Sequence, residues 1–245
     1  MPPIPGAIST RGVKIAAVVP TTLIDYPDRV AALVYTAGCN LRCPFCHNSE
    51  LVLPEAVNGL SLIQENALVA MLTDRQTFLD GVVITGGEPT IQSDLRQFIE
   101  WIKGLDLLVK LDTNGTRPEV LEALLEAHLL DYVAMDLKAP TARYDELTGV
   151  RVDPDAIERS IHLILERAPD YEFRTTAAPT LTAEDLEQAA AWIAGAKRYI
   201  LQPFVLPEGK RLVEPSWETK AALSEGELHA VWDRIEPRFG DGGVR

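Results

Sequence analysis

Three cysteines, Cys39, Cys43 and Cys46, fall within eight residues, and the 245-residue chain has no others. The thiolate is the form of cysteine that ligates metal, and an odd, clustered set points to metal rather than to disulfides. The spacing is C-x₃-C-x₂-C, inside the loop Gly38-Cys39-Asn40-Leu41-Arg42-Cys43-Pro44-Phe45-Cys46-His47-Asn48, directly after an apolar run. A cubane [4Fe–4S] cluster usually takes four cysteines, so three leave one iron open to a further ligand. Two other readings stand beside this one. A zinc site needs His47 as fourth ligand, but His47 directly follows Cys46, which makes closing a tetrahedron awkward. Three unrelated buried thiols would rarely bunch in this way.

Four further motifs lie where apolar runs end. Thr85-Gly86-Gly87-Glu88-Pro89 combines two glycines, which admit close backbone approach, with a carboxylate able to accept from an ammonium. Its plainer reading is a Gly-Gly turn before a helix. Lys110-Leu111-Asp112-Thr113-Asn114-Gly115 and Met135-Asp136-Leu137-Lys138 end the next two runs. Charged groups there are costly if buried unpaired, so Asp112 with Asp136 can hold a cation or a ligand's charged end, and Lys138 can meet a carboxylate. Salt bridges closing a barrel mouth are the structural alternative. In Glu172-Phe173-Arg174-Thr175-Thr176, Arg174 suits a carboxylate or hydroxyls, or else a strand-face salt bridge with Glu172.

The elements that must position these groups alternate between short apolar runs and amphipathic stretches, as in βα units around a parallel sheet. Strands are predicted at 31–36, 81–85, 107–112, 132–136, 171–177 and 198–202. Leu95, Phe98, Ile99 and Ile102 follow the spacing of a helix with one buried face. Helix starts are read at a Ser61/Gln64 capping box, at Pro118, at Asp153-Pro154, at Thr182 and at a Ser224/Glu227 capping box. The fold class is α/β, a partial (β/α)6 barrel, open on one side, with mostly parallel strands. Right-handed crossovers place all the strand-end motifs on one side of it. The chain reads as a single domain over 1–245, with a core of about 13–205, an irregular loop at 203–217 and a C-terminal helical segment at 218–238.

Hydrophobic residues make up 47% and charged residues 24%, enough for a buried core. A net charge of −13 argues against nucleic acid, whose binding needs clustered Lys and Arg. No apolar run approaches the roughly 20 residues of a membrane span, and Met1 to Gly12 lacks the apolar stretch of a secretory signal. A cytoplasmic, reducing location is therefore expected.

Taken together, the motifs resemble the radical S-adenosylmethionine (SAM) superfamily, whose cluster loop is C-x₃-C-x-aromatic-C, with Phe45 as the aromatic here. The similarity is closer to its glycyl-radical-enzyme activase branch, and within it to activating proteins of anaerobic ribonucleoside-triphosphate reductase. The resemblance rests on 23–27, 39–52, 84–90, 109–116, 132–140 and 171–176. It implies a [4Fe–4S] cluster on Cys39, Cys43 and Cys46 whose open iron chelates S-adenosyl-L-methionine. It implies that Phe45 backs the adenine, that Gly86, Gly87 and Glu88 receive the methionine amino group, and that Asp112, Thr113 and Asn114 face the cofactor. Lys138 and Arg174 would contact its carboxylate or ribose, and Asp112, Thr113 and Asp136 a monovalent cation. The implied reaction is one-electron cleavage of SAM to a 5′-deoxyadenosyl radical, which takes a hydrogen atom from a glycine of a partner. That partner would be a glycyl-radical enzyme, anaerobic ribonucleotide reductase first, with reduced flavodoxin as electron donor. Lys197, Arg198, Lys210 and Arg211 are the candidate patch for docking it. Three alternatives remain open: activation of a pyruvate formate-lyase type enzyme, radical chemistry on a small molecule, and a non-catalytic metal or electron-transfer module.

Overall fold

The computed structural model describes residues 12–245. The stretch read for a secretory signal lies, up to residue 11, outside them. Among the described residues eight strands form: β1 (Ile15–Thr22), β2 (Ala31–Thr36), β3 (Gly81–Gly86), β4 (Leu108–Thr113), β5 (Tyr132–Asp136), β6 (Tyr171–Ala177), β7 (Arg198–Pro203) and β8 (Asp241–Val244). In the sheet they follow chain order from β1 to β8, so the order is open rather than closed on itself. The longer helices are α1 (Glu65–Arg75), α2 (Leu95–Gly104), α3 (Pro118–Glu126), α4 (Pro154–Arg167), α5 (Ala183–Trp192) and α6 (Glu225–Ile235). This is the expected α/β class with mostly parallel strands, and the six foreseen strands agree to within a residue at each end.

The chain divides into two compact units. One comprises the chain up to Asn40 with Glu50–Thr113 and Glu119–Val133; the other comprises Leu41–Ser49, Asn114–Pro118 and Ala134–Arg245. In the first unit, β2, β3 and β4 pair in parallel with unbroken register, Ala31↔Gly81 through Thr36↔Gly86 and Gly81↔Leu108 through Ile84↔Leu111. Their apolar runs are buried almost throughout, as parallel strands covered on both faces require. α2 buries Leu95, Phe98, Ile99 and Ile102, the stripe its spacing predicts. β1 runs antiparallel to β2 and was not foreseen. Its register slips between Val19 and Thr22, around Pro20, which has no amide hydrogen for the ladder. The Ser61/Gln64 box does not form. α1 starts at Glu65 with no side-chain cap from Gln64, and the amide of Ile63 donates to Ile15 O at 2.8 Å, so pairing with β1 outweighs the local cap.

In the second unit β6, β7 and β8 pair in parallel, Phe173↔Tyr199 and Arg198↔Asp241 among the partners. β8, not foreseen, is a glycine-containing strand with no alternating pattern. The helix caps follow the sequence. Asp153 accepts from the amide of Asp155, and Thr182/Asp185 and Ser224/Glu227 both close capping boxes.

Candidate cofactor site

In the first unit, β3 delivers Gly86, Gly87 and Glu88. Gly86 has φ +118°, and a Cβ there would meet Thr36 N at 2.4 Å; a Cβ on Gly87 would meet Gly38 O at 2.0 Å. The amides of Gly87 and Glu88 donate to Thr36 O and Gly38 O at 2.9 and 2.8 Å. Backbone packing alone thus demands glycine at both positions, and it seats the end of β3 against Gly38, the residue before Cys39. Glu88 is 1% exposed. Its Oε1 accepts from Thr90 N (3.0 Å), Thr90 Oγ1 (2.5 Å) and Thr113 Oγ1 (2.8 Å). These three donors are uncharged, and they orient the carboxylate. Thr113, assigned to the cofactor by resemblance, turns its hydroxyl to Glu88.

β4 places a second pair. Lys110 Nζ lies 2.6 Å from Asp112 Oδ1, with the two side chains 2% and 14% exposed. The ammonium also sits 5.7 Å from the centre of the Tyr132 ring, which meets Tyr26 edge-on. An ammonium so deeply buried needs such a partner, and Asp112 supplies it. Burial, with Asp25 and Asp112 adding to it, raises the Tyr35 phenol above its ordinary range.

In the second unit, the loop Leu41–Ser49 carries Cys43, buried, and Cys46, partly exposed. A turn with Cys46 N donating to Cys43 O at 3.0 Å sets their spacing, and the amide of Arg42 donates to Thr148 O at 2.8 Å. Phe45 is buried, its ring centre 6.4 Å from that of Trp217. Asp136, at the end of β5, bridges two cations, Lys138 Nζ at 3.1 Å and Arg174 Nε at 2.9 Å. Arg174 also stands 3.7 Å from Glu172, which Arg245 meets at 3.1 Å. The strand-face salt bridge read for Arg174 is therefore present, beside an unforeseen one to Asp136. Burial would raise the Asp136 pKa, yet Arg174 and Lys138 hold it well below the carboxylate range. Burial would lower that of Lys138, yet Asp136, then Cys43 and more weakly Cys46, keep it above the lysine range. The Lys138 ammonium thus lies within the field of two of the three thiols. Asn114 is buried, and its Oδ1 accepts from Thr116 N and Oγ1 at 3.0 and 2.6 Å, closing a local turn.

A supporting chain here was not visible in sequence. Tyr199 Oη donates to Thr175 Oγ1, which donates to Leu137 O, each at 2.8 Å, and Leu137 N donates to Arg174 O at 2.8 Å. The peptide between Asp136 and Lys138 is thereby held on both sides. Thr90 and Lys110 also escaped assignment; the signal for Lys110 was a lone lysine in an otherwise apolar strand.

The donor set fits an iron–sulfur cluster. Among the described residues no three His, Cys, Asp or Glu side chains converge as one metal ion requires. A cubane attaches its thiolates to separate irons and needs no such convergence. The Lys138 ammonium stands near Cys43 and Cys46, and a cationic neighbour suits sulfurs that ligate metal as thiolates.

An open, mostly parallel α/β sheet with a three-cysteine loop after β2 and a buried acid after β3 defines a sulfur-ligating, cofactor-binding class of enzyme. The Radical SAM superfamily model matches residues 33–193, and the chain belongs to that family of enzymes. A provisionally named glycyl-radical enzyme activating enzyme of Methanocaldococcus jannaschii is 35% identical over 223 residues, 89% of this chain and 89% of its own. The similarity thus falls in the activase branch. Among solved structures, Streptococcus suis SuiB bound to S-adenosylmethionine superposes with a TM-score of 0.65 at 17% identity, over 87% of this chain and 49% of SuiB. The chain therefore spans about half the length of SuiB. A domain of pyruvate-formate lyase-activating enzyme from Bacteroides vulgatus superposes with a TM-score of 0.53 at 16% identity, over 67% of this chain and 98% of that domain. At these identities the two structures establish the fold alone. No helix among the described residues is long and apolar enough to cross a membrane.

Proposed function

We propose that this protein is an activase that cleaves SAM and installs a glycyl radical on anaerobic ribonucleoside-triphosphate reductase. The observation that carries the reading is the near full-length similarity to an activating enzyme, joined to the cysteine loop. Cys39, Cys43 and Cys46 would hold the cluster, which when bound supplies the electron for reductive cleavage of SAM. The chain's own groups bind and orient. Glu88, buried and oriented by Thr90 and Thr113, presents a carboxylate suited to the methionine ammonium. Lys138 and Arg174, two cations around one Asp136, suit the carboxylate or ribose. Gly86, Gly87, Phe45 and Asn114 shape the surroundings. A monovalent cation on Asp112, Thr113 and Asp136 would have to share Asp112 with Lys110 and Asp136 with Lys138 and Arg174. It is retained as part of the proposal, and a potassium-dependent rise in SAM affinity tests it.

A cytoplasmic location and reduced flavodoxin as donor belong to the same reading. The docking patch keeps its four cations: Lys197 meets Asp170, Arg198 meets Asp241, and Lys210 and Arg211 are exposed. Reversing those two charges should slow reduction by flavodoxin and leave reduction by dithionite unchanged; equal flavodoxin rates reject the patch. The partner is tested by electron paramagnetic resonance. Reconstituted protein, SAM, reductant and the reductase should give a glycyl-radical doublet. Its absence beside an actively cleaving activase removes the reductase from the proposal.

A further inference from the structure

The family model ends at residue 193, yet a segment beyond it touches the cysteine loop. Both lie in the second unit. The amide of Val213 donates to Cys46 O at 3.0 Å, and that of Glu214 to Pro44 O at 3.1 Å. Three residues further on, Trp217, itself 6% exposed, sets its ring beside that of Phe45. The segment is fixed from within. Glu218 accepts from Leu212 N at 3.2 Å, and Glu214 O accepts from Trp217 N at 3.0 Å. Lys220 covers the outer face of the Trp217 ring at 4.0 Å.

Loops that carry metal ligands also carry backbone carbonyls that must be satisfied if they are to leave water. Here the carbonyls of Pro44 and Cys46 are satisfied by donors that the family match does not include. Groups one step removed from a metal ligand commonly hold it in its binding shape, and losing one costs about ten- to a hundredfold in metal affinity. We propose that residues 212–217 are a strap that holds the Pro44–Cys46 stretch in its cluster-binding shape and keeps water from it, with Trp217 as the positioning residue. The inference rests on the reading that Cys43 and Cys46 are cluster ligands.

The test uses the full chain, reconstituted anaerobically with iron and sulfide, as wild type, Trp217→Ala and Trp217→Phe. Iron loss to a chelator is followed by visible absorbance, and the reduction potential of the cluster is measured. Trp217→Ala should lose iron about tenfold faster than wild type. Its potential should rise as water reaches the cluster and favours the reduced, more negative state. Trp217→Phe, which keeps a ring against Phe45, should restore both toward wild type. A merely structural tryptophan would lower the unfolding temperature of the metal-free protein and move neither readout. A third arm needs no variant: by linkage, cluster loading should slow trypsin cleavage after Lys210, Arg211 and Lys220 several-fold. Wild-type protein that takes up no iron overturns the cysteine reading itself. Loaded wild type whose trypsin cleavage matches the metal-free form, with Trp217→Ala equal to wild type in iron loss and potential, overturns the strap alone.

Discussion

The two units answer the problem of burying charge in opposite ways. In the first, Glu88 accepts from an amide and two hydroxyls, while Lys110 and Asp112 form a close, nearly dry pair. In the second, one carboxylate, Asp136, is shared by two cations, and nearly a third of its side chain is exposed. The first arrangement fixes the direction of a buried carboxylate, which suits an ammonium. The second gathers two cations about one carboxylate, with Glu172 beside Arg174, which suits an anionic group.

The largest expected effect tests the dry pair. Lys110→Met leaves the Asp112 carboxylate buried without its ammonium and should lower unfolding stability by about 3–5 kcal/mol, measured by denaturant titration. Adding Asp112→Leu should recover most of that loss, because an apolar pair replaces an ionic one. A small effect of Lys110→Met would mean that this pair is as open to water as the cluster around Asp136.

Next comes the charge on Glu88. Glu88→Gln keeps an oxygen for Thr90 and Thr113, so the fold should lose under about 1 kcal/mol. Calorimetric affinity for SAM should fall about ten- to hundredfold, the worth of one charged hydrogen bond. Unchanged affinity would remove the distinction drawn between the two units.

Asp136→Asn removes the carboxylate that Lys138 and Arg174 share and should cost about 1–3 kcal/mol, less than Lys110→Met because solvent reaches the group. A larger cost than that of Lys110→Met would reverse the comparison.

The smallest effect calibrates the rest. Asp185 closes the cap of α5 and pairs with Arg143 at 2.7 Å, away from the cysteine loop in sequence. Burial would raise its pKa, but the Thr182 amide and hydroxyl and the Arg143 guanidinium bring it below the ordinary value. A depressed native pKa stabilises the fold above the unfolded pKa and ceases to do so as pH falls through the native one. Asp185→Asn should therefore cost about 1 kcal/mol at pH 7 and almost nothing near pH 2. A difference that persists at pH 2 would show that shape rather than charge is at work.

What could be read from sequence follows the range of the interactions concerned. β2, β3 and β5 were legible because their apolar runs are local signals, and the caps at Asp153, Thr182 and Ser224 because a cap is settled within four residues. The cysteine loop was legible because ligand chemistry is written in its spacing. β1 was not, since Pro20 and an exposed edge obscure its alternation, nor was β8, whose glycines carry no pattern. Gly86 and Gly87 were read as room for a ligand, whereas contact with Thr36 and Gly38 already requires them. Lys110 was seen but not assigned, because its burial depends on Tyr132 and Asp112 coming together in three dimensions. The strap was read only as an irregular loop. Its hydrogen bonds join residues far apart in the chain, which no local pattern encodes.

The most direct measurement is release of 5′-deoxyadenosine from SAM by anaerobically reconstituted protein under dithionite, compared with Cys43→Ala. Wild type should bind about four irons per chain and form the nucleoside, and Cys43→Ala should form none. A fully loaded wild type that releases no 5′-deoxyadenosine, or a Cys43→Ala variant that releases as much, would contradict the assignment of the loop as the cluster site of a SAM-cleaving enzyme.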